Sequence, residues 1–141
     1  MIAPLFRMAT AAFIGAALGC SSFAASDASG GITAGISEGF RFGQTDGEAL
    51  YRAVCQSCHM PDGRGAQGAG MYPSLAGNPK LAAGRYPAYN VLHGRKGMPP
   101  FKNMLSDEQV AAVTNYLRTH LGNNYRDPIT AADVQTLRGT P

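Results

Sequence analysis

One small domain of short helices strung between loops is what the sequence predicts, and three observations carry that expectation. The chain has 141 residues, 45% hydrophobic and 15% charged, which suits one domain rather than two. Eighteen Gly and nine Pro point to many loops. Apolar residues recur at helical spacing behind recognisable caps in the stretches that open at Thr45 and Ser106.

Thr45-Asp46-Gly47-Glu48 matches a capping box, with Thr45 accepting from the Glu48 N–H and Glu48 reaching back to the cap. A helix is expected to begin there, with Gly47, Leu50, Tyr51 and Val54 forming one buried stripe that leads into Cys55. Gly47 in the first turn costs up to about 1 kcal/mol against Ala, so a close helix contact is expected over it.

Cys55-Gln56-Ser57-Cys58-His59 places two thiols and an imidazole within little more than one helical turn, which is a haem attachment signature. Each cysteine can add across a haem vinyl group to form a thioether, and His59 then offers a ring nitrogen to the iron. The two other uses of a C-x-x-C pair need partners the chain lacks. Structural zinc takes four protein ligands, yet the other cysteine is Cys20 and the other histidines, His93 and His120, stand alone. A thioredoxin-like site sits in a strand-helix unit, and no strand pattern precedes Cys55. One haem c, tethered by Cys55 and Cys58, is therefore expected. A loop-rich chain this short has a thin core of its own, so such a group would also supply packing.

Met60 to Gly70 is too rich in Gly for helix or sheet and reads as a compact surface loop. It is not a phosphate cradle, because no strand precedes it and no Gly-Lys-Ser/Thr follows. Tyr72-Pro73-Ser74-Leu75-Ala76-Gly77 is expected to fold back past His59. Asn78 to Gly84, with Pro at the first helical position and Gly at the end, marks one short helix, and Pro87 to His93, closed by Gly94, marks another. Arg95 to Lys102 holds two prolines and reads as a rigid loop around Met98.

The clearest helix start combines a Ser106/Gln109 capping box with a Leu105/Val110 hydrophobic staple. Val110, Val113, Leu117 and Leu121 give its stripe and Gly122 its stop, and Val113 and Tyr116 are expected to meet Gly47 and Tyr51 of the first helix. Thr130 to Arg138 reads as a short terminal helix with no assigned purpose.

The first residues read as an export signal: Arg7 is the positive region, Met8 to Leu18 the apolar run, and Ser22-Phe23-Ala24 a cleavage site with small flanking residues. The run is too short to span a bilayer. Loss of Arg7 leaves 11 basic against 9 acidic residues, a net charge of +2. Ala17-Leu18-Gly19-Cys20 also resembles a lipoprotein box, which would lipidate Cys20. Ser26 to Gln44 carries five Gly and no sustained periodicity, and reads as an arm that Phe40 and Phe42 pin locally. The expected division is residues 1–24 as signal, 25–44 as arm, 45–122 as domain and 123–141 as extension.

A helix into C-x-x-C-H, a Gly-rich loop, a Pro-x-Leu segment, a Met-Pro-Pro-Phe loop and a final amphipathic helix follow one another across residues 45 to 122. In that order they resemble a class I cytochrome c. The resemblance implies an all-α fold of three to five helices and loops wrapped round one covalently bound haem c, with His59 and Met98 on opposite sides of the iron. It also implies that the Pro73 carbonyl accepts from the His59 ring nitrogen turned away from the metal. The competing sixth ligands are Met104, His93, Met60 and Met71. The implied function is one-electron transfer rather than catalysis, and a haem sensor or enzyme subunit with a labile sixth ligand is the alternative. Cys-His-Met-Pro-Asp-Gly-Arg-Gly and Met-Pro-Pro-Phe are similar to cytochromes that partner periplasmic dehydrogenases. A dehydrogenase, a terminal oxidase or another cytochrome would then be the partner, with no nucleic acid, in the periplasm, and at a membrane only through Cys20. Arg64, Arg95, Lys96 and Lys102 are expected to rim the docking face.

Overall fold

The N-terminal helix and the Asp107–Thr119 helix cross at Gly47, and the rest of the fold is built round that crossing. A Cβ on Gly47 would lie 2.4 Å from the Ala112 carbonyl oxygen and 2.8 Å from Tyr116 Cβ, so the two backbones approach as only glycine allows. The Tyr51 and Tyr116 rings meet beside it, with centroids 5.6 Å apart. The computed structural model describes residues 40–68 and 70–140; Arg7, Cys20, the Ser22-Phe23-Ala24 site and the arm up to Gly39 lie outside them.

Helix α1 (Gly47–Leu50) runs through a π-helical turn (Tyr51–Cys55) into α2 (Gln56–His59). Its cap is Asp46, not Thr45: the Asp46 carboxylate accepts from Ala49 N at 2.9 Å, while Glu48 pairs with Arg52 at 2.6 Å. Asp46 takes the extended backbone a cap needs, and its charge suits the helix N-terminus better than a hydroxyl does. Gly47, Leu50 and Tyr51 are buried and Val54 half-buried, as the stripe requires.

The Gly-rich stretch departs from the expected plain loop. Ala66–Gln67 (β1) pairs antiparallel with Met71–Tyr72 (β2), a two-residue hairpin that satisfies backbone groups the loop would otherwise leave to solvent. The segment after Asn78 is a single 3-10 turn, Pro79–Leu81, with the Asn78 side chain accepting from Lys80 N at 3.0 Å. Helix α3 (Arg85–His93) begins two residues ahead of Pro87. A proline is tolerated in the first turn because its missing N–H has no intrahelical partner there.

Helix α4 (Asp107–Thr119) has both bonds of the Ser106/Gln109 capping box. It also reaches the arm, since Gln109 Nε2 donates to the carbonyls of Phe42 and Gln44 at 2.7 and 2.6 Å. Leu105, Val110, Val113 and Leu117 are buried. The helix stops at Thr119 rather than running through Leu121, which sits at φ 55 outside it. Asn123 explains the early stop: its buried amide donates to the Leu117 carbonyl at 2.8 Å and takes over a helix-end acceptor.

Helix α5 (Ala131–Arg138), capped by a Thr130/Asp133 box, packs on α3 and α4 and buries Val134 and Leu137 in the common core. The Thr130 hydroxyl holds the Asp133 carboxyl below the usual carboxylate range. Among the described residues the fold is all-α apart from the hairpin. Among the described residues no helix is long and apolar enough to cross a membrane.

Candidate functional site

The π-helical turn delivers Cys55, Cys58 and His59 at the end of the first helix, where the backbone must then reverse. A π turn adds one residue to the helical ladder, so that the Gln56 N–H bonds the Tyr51 carbonyl. Cys55 and Cys58 are half-buried, unbridged thiols. Burial, with the neighbouring Cys58 adding to it, pushes the Cys55 thiol up to about 12.

The reversal passes through Met60 at φ 64, whose carbonyl accepts from the Tyr51 hydroxyl at 2.6 Å and from Gly63 N at 3.1 Å. Gly63 and Gly65, at φ 71 and 70, turn the chain back. The Gly63 carbonyl accepts from Leu75 N and Ala76 N at 2.6 and 2.9 Å, and Gly65 N donates to the His59 carbonyl at 3.0 Å. A Cβ on Gly65 would stand 2.1 Å from the Tyr72 oxygen and 2.9 Å from that of Pro73. Glycine is thus what lets the Tyr72–Leu75 segment lie against the His59 turn.

That approach puts the Pro73 carbonyl 2.9 Å from His59 Nδ1. A carbonyl only accepts, so Nδ1 carries a proton, and in the neutral ring Nε2 is the nitrogen left with a lone pair.

Met98 comes from a separate loop. Arg95 N and the Met98 carbonyl, and Met98 N and the Arg95 carbonyl, bond at 3.0 and 2.9 Å, closing a tight turn with Lys96 at φ 52. Gly94 underlies it, where a Cβ would sit 2.6 Å from the Met98 oxygen. Past the prolines, Phe101 N and Lys102 N bond the Val91 and Leu92 carbonyls of α3 at 2.9 and 3.1 Å. Met98 is half-buried and packs on the same hydrophobic core as Cys55, Leu75 and Phe101.

Residues 43–117 match the family described as cytochrome C oxidase, cbb3-type, subunit III. The chain belongs to this c-type cytochrome family. It is 34% identical over 133 residues to the alcohol dehydrogenase (quinone) cytochrome c subunit of Gluconobacter oxydans, covering 74% of this chain and 27% of that one. The fructose dehydrogenase cytochrome subunit of Gluconobacter japonicus is 37% identical over 94 residues, which is 56% of this chain and 19% of that one. Cytochrome c-552 of Thermus thermophilus is 32% identical over 120 residues, 71% of this chain and 79% of that one. The chain thus spans about a quarter or less of the dehydrogenase subunits it matches but most of cytochrome c-552.

A c-type cytochrome works by haem-based electron transfer, and the residues present fit that group. Two unbridged thiols, an imidazole oriented through Nδ1, and the apolar residues Leu75, Met98 and Phe101 packed with Cys55 on one core are what a tether, a ligand and packing would need. The other candidates for a sixth ligand are His93, Met71, Met60 and Met104. His93 Nε2 lies 3.0 Å from the Leu137 carbonyl, Met71 is 80% exposed on β2, and Met60 is held by its backbone in the turn beside His59. Met104 lies in the Phe101–Leu105 turn, with its carbonyl accepting from Phe42 N.

Of the basic rim, Arg64 stands 3.6 Å from Asp62, Arg95 is tied to the Tyr86 hydroxyl, and Lys96 and Lys102 are exposed. Sequence reasoning missed Gly65, Asn123 and Arg118. The Gly63-x-Gly65 spacing signals the first, and a polar residue just past the Gly that closes the apolar stripe signals the second. Arg118 is 1% exposed and donates to the Leu81 and Ala82 carbonyls at 2.9 and 2.8 Å, holding the turn ahead of α3; a lone cation in a last helical turn is its faint signal.

Proposed function

We propose that this cytochrome is a single-haem electron carrier, with haem c tethered covalently by Cys55 and Cys58 and ligated by His59 Nε2 and the Met98 sulfur. The observation that carries the reading is the 2.9 Å contact between His59 Nδ1 and the Pro73 carbonyl, because it fixes the ring's tautomer and orientation. When bound, the haem supplies an iron that gains and loses one electron. The chain's residues do the rest: the Pro73 carbonyl steadies His59, and Met98, a soft neutral donor, favours the reduced metal and raises its potential relative to a second imidazole.

The alcohol and fructose dehydrogenase subunits support a place between a dehydrogenase and the respiratory chain, with electrons entering from the former. The Arg7 signal supports export to the periplasm, with lipidation at Cys20 as the competing outcome. Intact mass of the exported protein separates cleavage near Ala24 from a diacylglycerol on Cys20.

Carbon monoxide binding tests the ligation. The reduced protein is expected to bind it poorly and the Met98→Ala variant readily, with a lower potential. Fast, complete binding by the unaltered protein would turn the reading toward a sensor or enzyme with an open sixth position.

A further inference from the structure

The Met98 loop joins α3 to α4, and α5 touches it at both ends. At the entrance, His93 Nε2 donates to the Leu137 carbonyl at 3.0 Å. At the exit, the next residue, Arg138, donates to the Lys102 carbonyl and, at 3.0 Å, to that of Leu105, while its guanidinium pairs with Asp107 at 2.7 Å. The partners lie more than thirty positions away, so neither contact belongs to α5's own turn. The helix is itself anchored to α4 by a two-way bond, since the Asn115 side chain donates to the Ile129 carbonyl and accepts from Ile129 N, both at 2.9 Å. Helix α5 itself lies beyond residue 117, where the family match ends.

We infer that α5 is a strap over the Met98 loop and that Arg138 is a positioning residue, which keeps the Met98 sulfur on the iron. The inference rests on the proposed ligation by Met98. A thioether is an uncharged, soft donor, so it stays bound only while its loop cannot move away. The loop's own fastenings include the Arg95–Met98 turn, two bonds to the end of α3, and the Phe101–Leu105 turn. The two bonds to α3 hold Phe101 N and Lys102 N, and Arg138 takes the carbonyl of the same Lys102. A planar fork that reaches two carbonyls and a carboxylate together suits this task, and an ammonium cannot copy it. For electron transfer the consequence is that the ligand set stays the same whichever oxidation state the iron holds.

The test is the rate at which imidazole binds the oxidised holoprotein, because the incoming ligand waits for Met98 to leave. Arg138→Ala is expected to speed binding roughly tenfold, equivalent to about 1.4 kcal/mol. Arg138→Lys is expected to fall between that variant and the unaltered protein, and it decides the matter if the alanine variant does not fold. Hydrogen exchange at Phe101 N and Lys102 N should rise in step. In a Met98→Ala background, adding Arg138→Ala should change the rate little, since no sulfur remains to leave. An equal acceleration in both backgrounds would mean general loosening and would overturn the strap. Unchanged rates for both Arg138 variants, beside a fast Met98→Ala, would overturn it while leaving the ligand in place. A Met98→Ala variant as slow as the unaltered protein would instead sink the ligation itself.

Discussion

The Tyr51 hydroxyl donates to the Met60 carbonyl across 2.6 Å, so the first residue of the π turn holds the residue that reverses the chain behind His59. Met60 sits at φ 64, a conformation that costs a methionine about 1–2 kcal/mol and so needs such a hold. Tyr51→Phe should therefore destabilise the protein by about 1–2 kcal/mol, seen as a lower denaturant midpoint. It should also change the alkaline limb. Burial, with Cys55, Tyr116 and Asp62 adding, pushes the Tyr51 hydroxyl up to about 12. The unfolded chain then releases its proton first. Tyr51 therefore supports the fold fully below the ordinary tyrosine value of 10, and that support is lost as pH rises toward 12. Stability between those limits should fall less steeply in Tyr51→Phe, and an identical slope would exclude this role.

Gly47→Ala tests the crossing of α1 and α4. The added methyl meets the Ala112 carbonyl at 2.4 Å, and a helix backbone cannot step aside as a side chain can. Overpacking of this kind costs about 1–3 kcal/mol, more than the helix propensity of up to about 1 kcal/mol that alanine brings back. A net loss of stability in denaturant unfolding is expected. A gain would mean that the helices slide apart without penalty.

Gly47 also shows what kind of information the sequence carried. A glycine in a first helical turn is locally unfavourable, and that mismatch was enough to announce a long-range contact. Ser106 with Gln109 was legible because a capping box closes within four residues. The Cys55–His59 string stands out in the sequence because two thiols and an imidazole fall within little more than one helical turn. The failures share a cause. Thr45 and Asp46 both suit a cap, and only the chain's entry angle decides between them. Leu121 continues the apolar period of α4, but Asn123 takes the helix-end carbonyl before the period is complete. The part played by α5 could not be read at all, since Arg138 finds Asp107 31 residues away and nothing local marks either as a partner.

Gly65→Ala should weaken the site without touching a cysteine or a ligand. An alanine at φ 70 is strained by about 1–2 kcal/mol, and its Cβ would press on the Tyr72 oxygen at 2.1 Å. The Pro73 carbonyl is then forced from His59 and the ring loses its orienting bond. A smaller haem-stained fraction of the exported protein and a shifted potential are expected. Full loading at an unchanged potential would show that His59 needs no such orientation.

Arg118→Ala is expected to cost about 2–4 kcal/mol, because it strands the Leu81 and Ala82 carbonyls and empties a buried site. Asp127 should matter less to the fold at neutral pH, as its side chain is 79% exposed beside the buried guanidinium. Its effect should show in acid. The hydrogen bond from Arg118 holds the Asp127 carboxyl below its usual 3.8, so the pair supports the fold above that value and fails as pH falls through the depressed one. Acid unfolding curves of Arg118→Ala and Asp127→Asn should both lack this component. A component that survives in either variant would assign it to another carboxylate.

Exchange with a partner protein tests the rim. Lys96 and Lys102 are exposed on the loop that carries Met98, whereas Arg95 is committed to Tyr86 and Arg64 lies near Asp62. The whole chain carries a net charge of only +3, so steering must come from this local pair rather than from the molecule's overall field. Complementary charge chiefly raises the encounter rate, and the effect fades as the Debye length shrinks to about 10 Å at 0.1 M salt. A carrier must also release its partner quickly, which favours a small, weak interface over a tight one. The double variant Lys96→Glu, Lys102→Glu should therefore keep its spectrum and potential while exchanging electrons more slowly with an acidic partner at low salt. The Arg138 contact survives the change, since it uses the Lys102 backbone carbonyl and not the side chain. Stopped-flow rates for the two proteins should converge as salt is added; equal rates at low salt would place docking elsewhere on the surface.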